Sequence, residues 1–223
     1  MSMSMSMSAP WNSPTPEDLL RAVQAVGVSD ERLLQALRAT PRAAFVPTGR
    51  ESHAYQDVPI PIGHAQVTTQ PSLSATMIQG LDLSGHEHVL EIGTGLGFQT
   101  ALLARLAADV VTVEMWPEIS RQAGRNLARQ GIRNVELRIG DGSGGVPDRA
   151  PYDAVIVSAA FPEVPAPLAG QLRRGGRLVQ PIGPGGREKV MSFLRTATGL
   201  QRTRVLTPAR FVRLHGQYGF PER

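Results

Sequence analysis

The sequence predicts an α/β fold: a doubly wound, mostly parallel sheet with an N-terminal helical extension. Three observations carry that prediction. From residue 86 onward, short apolar runs alternate with stretches of helical length, as expected for strands covered by helices on both faces. One of these runs passes directly into the glycine-rich turn Gly93-Thr94-Gly95-Leu96-Gly97, with another helical stretch behind it. Ahead of residue 86 the apolar residues recur at helical spacing.

The first helix starts at Thr15-Pro16-Glu17-Asp18. Threonine can cap, proline suits the first helical position, and two acids lie at the positive end of the helix dipole. Leu19, Leu20, Val23 and Val26 then form one face, ending near Gly27. Ser29 is expected to cap a second helix with Leu33, Leu34 and Leu37 on its apolar side. Residues 41–71 are rich in Pro, Gly and His and lack a sustained period; a loop that long is usually functional or disordered. Strands are expected at 88–92, 110–114, 135–139, 154–158 and 177–181, and helices at 99–107, 117–130 and 165–172. Two further strands follow Gly186, at 190–196 and 203–206, before an irregular tail.

Composition narrows the function classes. The chain has 223 residues, 41% of them hydrophobic, enough for a sizeable core. It has no cysteine, which removes disulfides and cysteine-based metal sites, and its five histidines lack metal-ligand spacing. No apolar run reaches transmembrane length. The alternating Met-Ser start has neither the basic nor the apolar region of a signal peptide, so residues 1–12 are expected to be a disordered tail and the protein cytoplasmic. The net charge is +4 and the pI about 10.3. Its arginines are scattered and Lys189 is the only lysine, so neither a nucleic-acid nor a membrane partner is expected.

The turn at 93–97 carries the cofactor expectation. In an open parallel sheet, ligands bind beyond the carboxyl ends of the strands. The spacing is G-x-G-x-G, with Gly93, Gly95 and Gly97, whereas the dinucleotide fingerprint is G-x-G-x-x-G. Glu91 puts an acid at the strand end, which repels a pyrophosphate and attracts the cationic amino-acid portion of S-adenosylmethionine. Glu114 ends the next strand, where an acid can hydrogen-bond ribose hydroxyls. Gly140-Asp141-Gly142 ends the third, so Asp141 can accept from the adenine amino group. A turn aspartate or a capping glutamate would explain either acid alone; three acids at consecutive strand ends point to S-adenosylmethionine.

With these residues in hand, the chain resembles the protein-L-isoaspartate O-methyltransferase family. The likeness runs from about Leu33 to Gly183. It is carried by Arg42-Ala43-Ala44-Phe45-Val46-Pro47, by Ala54-Tyr55-Gln56-Asp57, by residues 59–66 with Thr69-Gln70-Pro71, by residues 90–97 with Gln99, by Gly140-Asp141-Gly142 and by Pro151-Tyr152-Asp153. The resemblance implies a Rossmann-like class I methyltransferase, in which residues 13–85 form a substrate lid, 86–186 the cofactor core and 187–223 the C-terminal strands and substrate-side tail; a monomer is expected. It implies methyl transfer from S-adenosylmethionine to a carboxylate of L-isoaspartyl residues in damaged proteins or peptides. Cofactor contacts fall on Glu91, Gly93, Thr94, Gly95, Gly97, Gln99, Glu114, Asp141 and Gly142. Ile62, His64 and Gln66 would line the substrate pocket, and Thr69 would lie near the transferred methyl.

The likeness has gaps. Ala65 stands where the family has glycine, and Val67-Thr68-Thr69 where it has Thr-Ile-Ser. Residues 211–220, including His215, also depart from the expected pattern. The acceptor therefore stays open between isoaspartyl damage and an aspartate of one dedicated peptide. A cofactor-binding regulator without turnover is the reading of a different class, and an NAD-dependent oxidoreductase a further enzyme alternative.

Overall fold

The computed structural model describes residues 13–221; the Met-Ser start, read from sequence as a disordered tail, lies outside them. Helix α1 (Pro16–Ala25) begins as expected. Thr15 accepts from the Asp18 backbone N–H while Asp18 reaches back to the Thr15 N–H at 2.8 Å. Helix α2 (Glu31–Arg38) is capped by Asp30, not Ser29. The Asp30 carboxylate accepts from the backbone of Arg32 and Leu33, while the Ser29 N–H donates to Gln79 Oε1. A short hairpin, β1 (Pro61–Gly63) with β2 (Gln66–Val67), then leads into α3 (Pro71–Gln79). The sequence does not announce α3, because most of its sides are buried and several buried positions are Ser, so no apolar stripe stands out.

The main sheet has seven strands: β3 (His88–Ile92), β4 (Asp109–Glu114), β5 (Val135–Ile139), β6 (Tyr152–Val157), β7 (Leu172–Ile182), β8 (Glu188–Thr196) and β9 (Gly199–Ala209). Their order is β5-β4-β3-β6-β7-β8-β9, with the first five parallel and the last two antiparallel. Helices α4 (Phe98–Leu106), α5 (Pro117–Arg129) and α6 (Ala166–Gln171) provide crossovers. β9 runs well beyond the predicted 203–206, because edge position leaves most of its side chains exposed and weakens the apolar signal.

Strand alternation sorts the core into two layers. Val89, Val110, Ala154, Ile156 and Val179 face α1 to α4; Leu90, Ile92, Val111, Val113, Val155, Val157 and Leu178 face Leu168 of α6 and the C-terminal Leu214. The chain leaves β3 toward β5 on one side and returns at β6 on the other. The crevice at this reversal, beyond the ends of β3 and β6, is where an open α/β sheet binds ligands.

Two buried charges hold the scaffold. Arg42 is 1% exposed and donates to the carbonyls of Ala54, Gln56 and Val58 and to Thr68 Oγ1, all at 2.9–3.1 Å. The long segment before α3 is therefore ordered around one guanidinium, which burial lowers to a pKa of about 10 against the opposing pull of Asp57. Glu87, just before β3, accepts from the backbone of Ser84, Gly85 and His86, from Ser84 Oγ, and from Arg177. Burial pushes its pKa up, but these donors overcome that and hold it near 2, against an ordinary 4.5.

Because the folded pKa of Glu87 lies below its unfolded value, the carboxylate stabilises the fold above about pH 4.5 and that contribution is lost as pH falls toward 2. The difference corresponds to roughly 3 kcal/mol at neutral pH. Glu87→Gln is expected to lower the urea-unfolding free energy at pH 7 by an amount of that order and to flatten the acid limb of stability between pH 5 and 2. An unchanged acid limb would remove Glu87 from this role.

Candidate functional site

The site is assembled where β3, β4 and β6 end. After β3, the backbone turns through Gly93 (φ 94°), Gly95 (φ 55°) and Gly97 (φ 93°), the last capping α4 in the left-handed conformation. Only glycine takes these angles without strain, and there is little room for more: a Cβ on Gly93 would lie 3.3 Å from that of Ser158.

Glu91 lies one pleat from Val89 and so points toward α4, opposite Thr112 in the ladder. It is fully buried and accepts from Gln99 Nε2 (3.1 Å), Thr100 Oγ1 (2.5 Å) and Thr112 Oγ1 (2.7 Å). Thr112 also meets Thr94 Oγ1 at 2.6 Å, which ties the glycine turn into the same cluster. Burial pushes the Glu91 pKa up to about 7; the three donors oppose the rise and the nearby Glu114 carboxylate adds to it. Glu91 was expected to contact the cofactor directly; its carboxylate is fully enclosed and does not line the cleft, whereas Gln99, which it holds, does.

An ionised carboxylate only accepts, so Glu91 holds the Gln99 amide with its NH2 turned inward, where it also reaches Ser158 Oγ at 2.9 Å. Gln99 Oε1 is left buried and without a partner. An orphaned acceptor at the cleft matches a cationic or donor group, as on the amino-acid portion of S-adenosylmethionine. The chain's other groups fit the same molecule. Glu114, at the end of β4, takes the N–H of Gly95 (3.0 Å) and of Trp116 (3.1 Å) and keeps acceptor capacity for a diol. Burial raises its pKa against those two donors. Asp141 accepts from the backbone of Ser143 (2.8 Å) and Gln217 (2.7 Å); burial raises its pKa, yet these donors bring it below the ordinary value. Gly216 packs directly against this carboxylate, and Asp141 lines neither of the cavities at the site. A Cβ on Gly142 would fall 2.6 Å from Ile92 Cγ2, so only glycine lets this turn approach the β3 end.

Two cavities meet here. The smaller, about 70 Å³, lies over the glycine turn and is lined by Gly93, Thr94, Gly95, Gln99 and Glu114, with Ile62 and Gln66 across from them. It is well short of the ~300–1,000 Å³ of ordinary ligand pockets. Ile62 Cδ1 comes within 3.7 Å of where a Gly95 Cβ would lie, so the β1–β2 hairpin packs closely over the glycine turn. The larger cavity, about 1060 Å³, is a groove between the 67–76 segment and the β8–β9 end. Val67, Thr68, Thr69, Ser158 and Val212 line both.

The residues expected on the substrate side fall in different places. Ile62 and Gln66 line the cofactor-side cavity and not the groove. His64 lines neither; it stacks on Trp116 at 4.2 Å, with Glu118 at 3.6 Å from its Nε2. His64 (φ 49°) and Ala65 (φ 54°) form the left-handed hairpin tip, so alanine here is accommodated at the cost of strain that glycine would avoid. Thr69 does lie at the junction. Thr68 is structural, accepting from Arg42 and from the Ile60 N–H. The sequence missed Arg42, Trp116, Ser158 and Val212 as site residues; only Ser158 had a usable signal, as the residue after the strand at the chain reversal.

A family model described as protein-L-isoaspartate(D-aspartate) O-methyltransferase matches residues 14–219. The match spans residues 211–219, most of the stretch the sequence had set apart as a departure. The protein-L-isoaspartate O-methyltransferase of Methanoculleus marisnigri is 48% identical over 198 residues, covering 89% of this chain and 90% of its own. That of Myxococcus xanthus is 45% identical over 194 residues, covering 86% and 92%. A solved protein-L-isoaspartate O-methyltransferase superposes with a TM-score of 0.82 at 31% identity, over 92% of this chain and 67% of that one. A Plasmodium falciparum structure in complex with S-adenosyl-L-homocysteine shares the fold, with a TM-score of 0.75 at 17% identity over 89% and 97%.

The Glu91–Gln99 pair makes a pH prediction. Protonation of Glu91 releases the amide orientation and removes a negative charge behind it, so affinity for S-adenosylhomocysteine is expected to fall as pH drops through about 7. Below that pH the loss approaches tenfold per unit at most. Glu91→Gln is expected to bind weakly throughout and to lack this component. Calorimetry from pH 6 to 8 on both proteins separates it from titration of the ligand's own amino group; parallel profiles would contradict it.

Proposed function

We propose that this chain, which belongs to the protein-L-isoaspartate(D-aspartate) O-methyltransferase family, transfers the methyl of S-adenosylmethionine to the α-carboxylate of L-isoaspartyl residues in damaged proteins. The observation that carries this reading is the junction of the two cavities at Thr69 and Ser158. One side suits a nucleoside and its amino-acid portion, and the other is open enough for a peptide.

S-adenosylmethionine, when bound, supplies a methyl group activated on a sulfonium. Gln99 Oε1 would hold its amino group, Glu114 its ribose and Asp141 its adenine, while the glycine turn allows close approach. The acceptor carboxylate is ionised at neutral pH with an ordinary pKa near 4, so the chain needs no general base. Its task is to aim an oxygen, and orientation of that kind supplies roughly 7–11 kcal/mol. Thr69 has a hydroxyl at the junction and would orient the carboxylate by donating a hydrogen bond. The hairpin above the glycine turn, fixed through Thr68 to Arg42, would exclude water once closed. The neighbouring backbone nitrogen then attacks the ester carbonyl, loses its proton and expels methanol, giving a succinimide; water opens that ring in part to normal aspartate, which is the repair.

The acceptor is a protein or peptide, and we take the enzyme to act as a cytoplasmic monomer. Its exposed large apolar side chains, such as Val26, Val58, Ile139 and Val205, are scattered over different elements, which supports a monomer. Among the described residues no helix is long and apolar enough to cross a membrane.

Labelled methyl transfer is expected to an isoaspartyl peptide and not to its aspartyl twin; equal or absent transfer to both would refute the reading. Thr69→Val is expected to lower kcat about 10–100-fold with little change in S-adenosylmethionine affinity, and Thr69→Ser to recover most of it. A Thr69→Val enzyme with unchanged kcat would exclude the orienting role.

A further inference from the structure

The groove is larger than one isoaspartyl side chain requires, and its rim is unevenly charged. At the open end of the β8–β9 pair, Glu188 lies opposite Ala209 and Lys189 opposite Pro208. One step beyond the last of these pairs stand Arg187 and Arg210. Arg187, Lys189 and Arg210 are all exposed and all line the groove, while none lines the cofactor-side cavity. They therefore meet parts of a bound peptide beyond the reacting carboxylate.

Among the described residues none of the three cations has an acidic partner in a salt bridge. The single acid of the groove wall is Glu188. It is 2% exposed, and its two oxygens accept from the backbone N–H groups of Arg187 (2.8 Å) and Phe211 (2.9 Å). That carboxylate fixes the backbone beside both arginines and offsets only part of their charge. Like charges facing each other across a strand pair are destabilising on their own, and a groove of one sign concentrates ligands of the other.

Resting on the methyl-transfer reading, we propose that the groove selects isoaspartyl sites flanked by acidic residues, with Arg187, Lys189 and Arg210 as the specificity-determining side chains. The selected substrate is an exposed, acidic stretch of damaged polypeptide. Contacts of this kind act equally on the bound ground state and the transition state, so the preference belongs in KM and not in kcat.

The test uses isoaspartyl peptides of one length that differ only in having Glu, Gln or Lys on both sides of the isoaspartyl residue. The full chain is expected to show kcat/KM about tenfold higher for the Glu-flanked than for the Lys-flanked peptide at low salt, as modest attraction of two glutamates to the rim and repulsion of two lysines from it allow. The ratio is expected to shrink to about twofold in roughly 0.5 M salt. In the R187Q/K189Q/R210Q variant it is expected to stay near that value even at low salt. Single R187Q and R210Q variants, each lowering the ratio about two- to threefold, serve if the triple variant does not fold. Equal kcat/KM for the two peptides, a preference seated in kcat, or a preference kept in the variants would overturn the proposal. The Gln-flanked peptide separates the two levels: turnover without charge preference refutes the selection alone, while no methylation of it refutes the methyl-transfer reading and the selection with it.

Discussion

The burial of Glu91 is the constraint on which the site depends. A carboxylate taken wholly out of water is costly unless donors surround it. Here the donors come from β4 through Thr112 and from α4 through Gln99 and Thr100. Satisfying one charge thus fixes the spacing between two strands and the helix above them. It also sets the direction of the Gln99 amide, which leaves a buried acceptor turned to the cleft. The glycine turn is tied to the same cluster through Thr94 and Thr112. Glu91 therefore positions Gln99 and the glycine turn without itself lining the cleft.

Arg42 plays the corresponding part on the other side of the cleft. Its guanidinium gathers three carbonyls and Thr68 from a stretch with little regular structure of its own. Asp57 extends the arrangement to the start of α3, accepting from the Ser72 N–H and from Gln70 Nε2, both at 2.8 Å. Thr69 lies between these anchors, so the residue at the junction of the two cavities is flanked by fixed points. The hairpin tip has looser support: His64 on Trp116, and Glu118 within ionic reach.

Much of the sheet was legible because its central strands are buried on both faces and read as continuous apolar runs, as in Val155-Ile156-Val157. The positions of Glu91, Glu114 and Asp141 at or just past the ends of β3, β4 and β5 were legible from the strand pattern. What escaped depends on partners distant in sequence. The enclosure of Glu91 follows from its register with Thr112 and the docking of α4. The placement of Ile62 and Gln66 over the glycine turn, and of His64 against Trp116, follows from how the hairpin folds. Helix α3 and the length of β9 escaped for opposite reasons, one being buried on most sides and the other largely exposed. Asp30 and not Ser29 caps α2, and Gln79, about fifty residues away, takes the backbone N–H of both.

The most direct measurement is a structure of the ternary complex with S-adenosylhomocysteine and an isoaspartyl peptide. The homocysteine amino group should lie within hydrogen-bond distance of Gln99 Oε1, the ribose hydroxyls at Glu114, and the isoaspartyl carboxylate beside Thr69 and Ser158 with the peptide in the groove. A cofactor seated away from Gln99 and Glu114, or a peptide carboxylate bound outside the Thr69–Ser158 junction, would contradict the account.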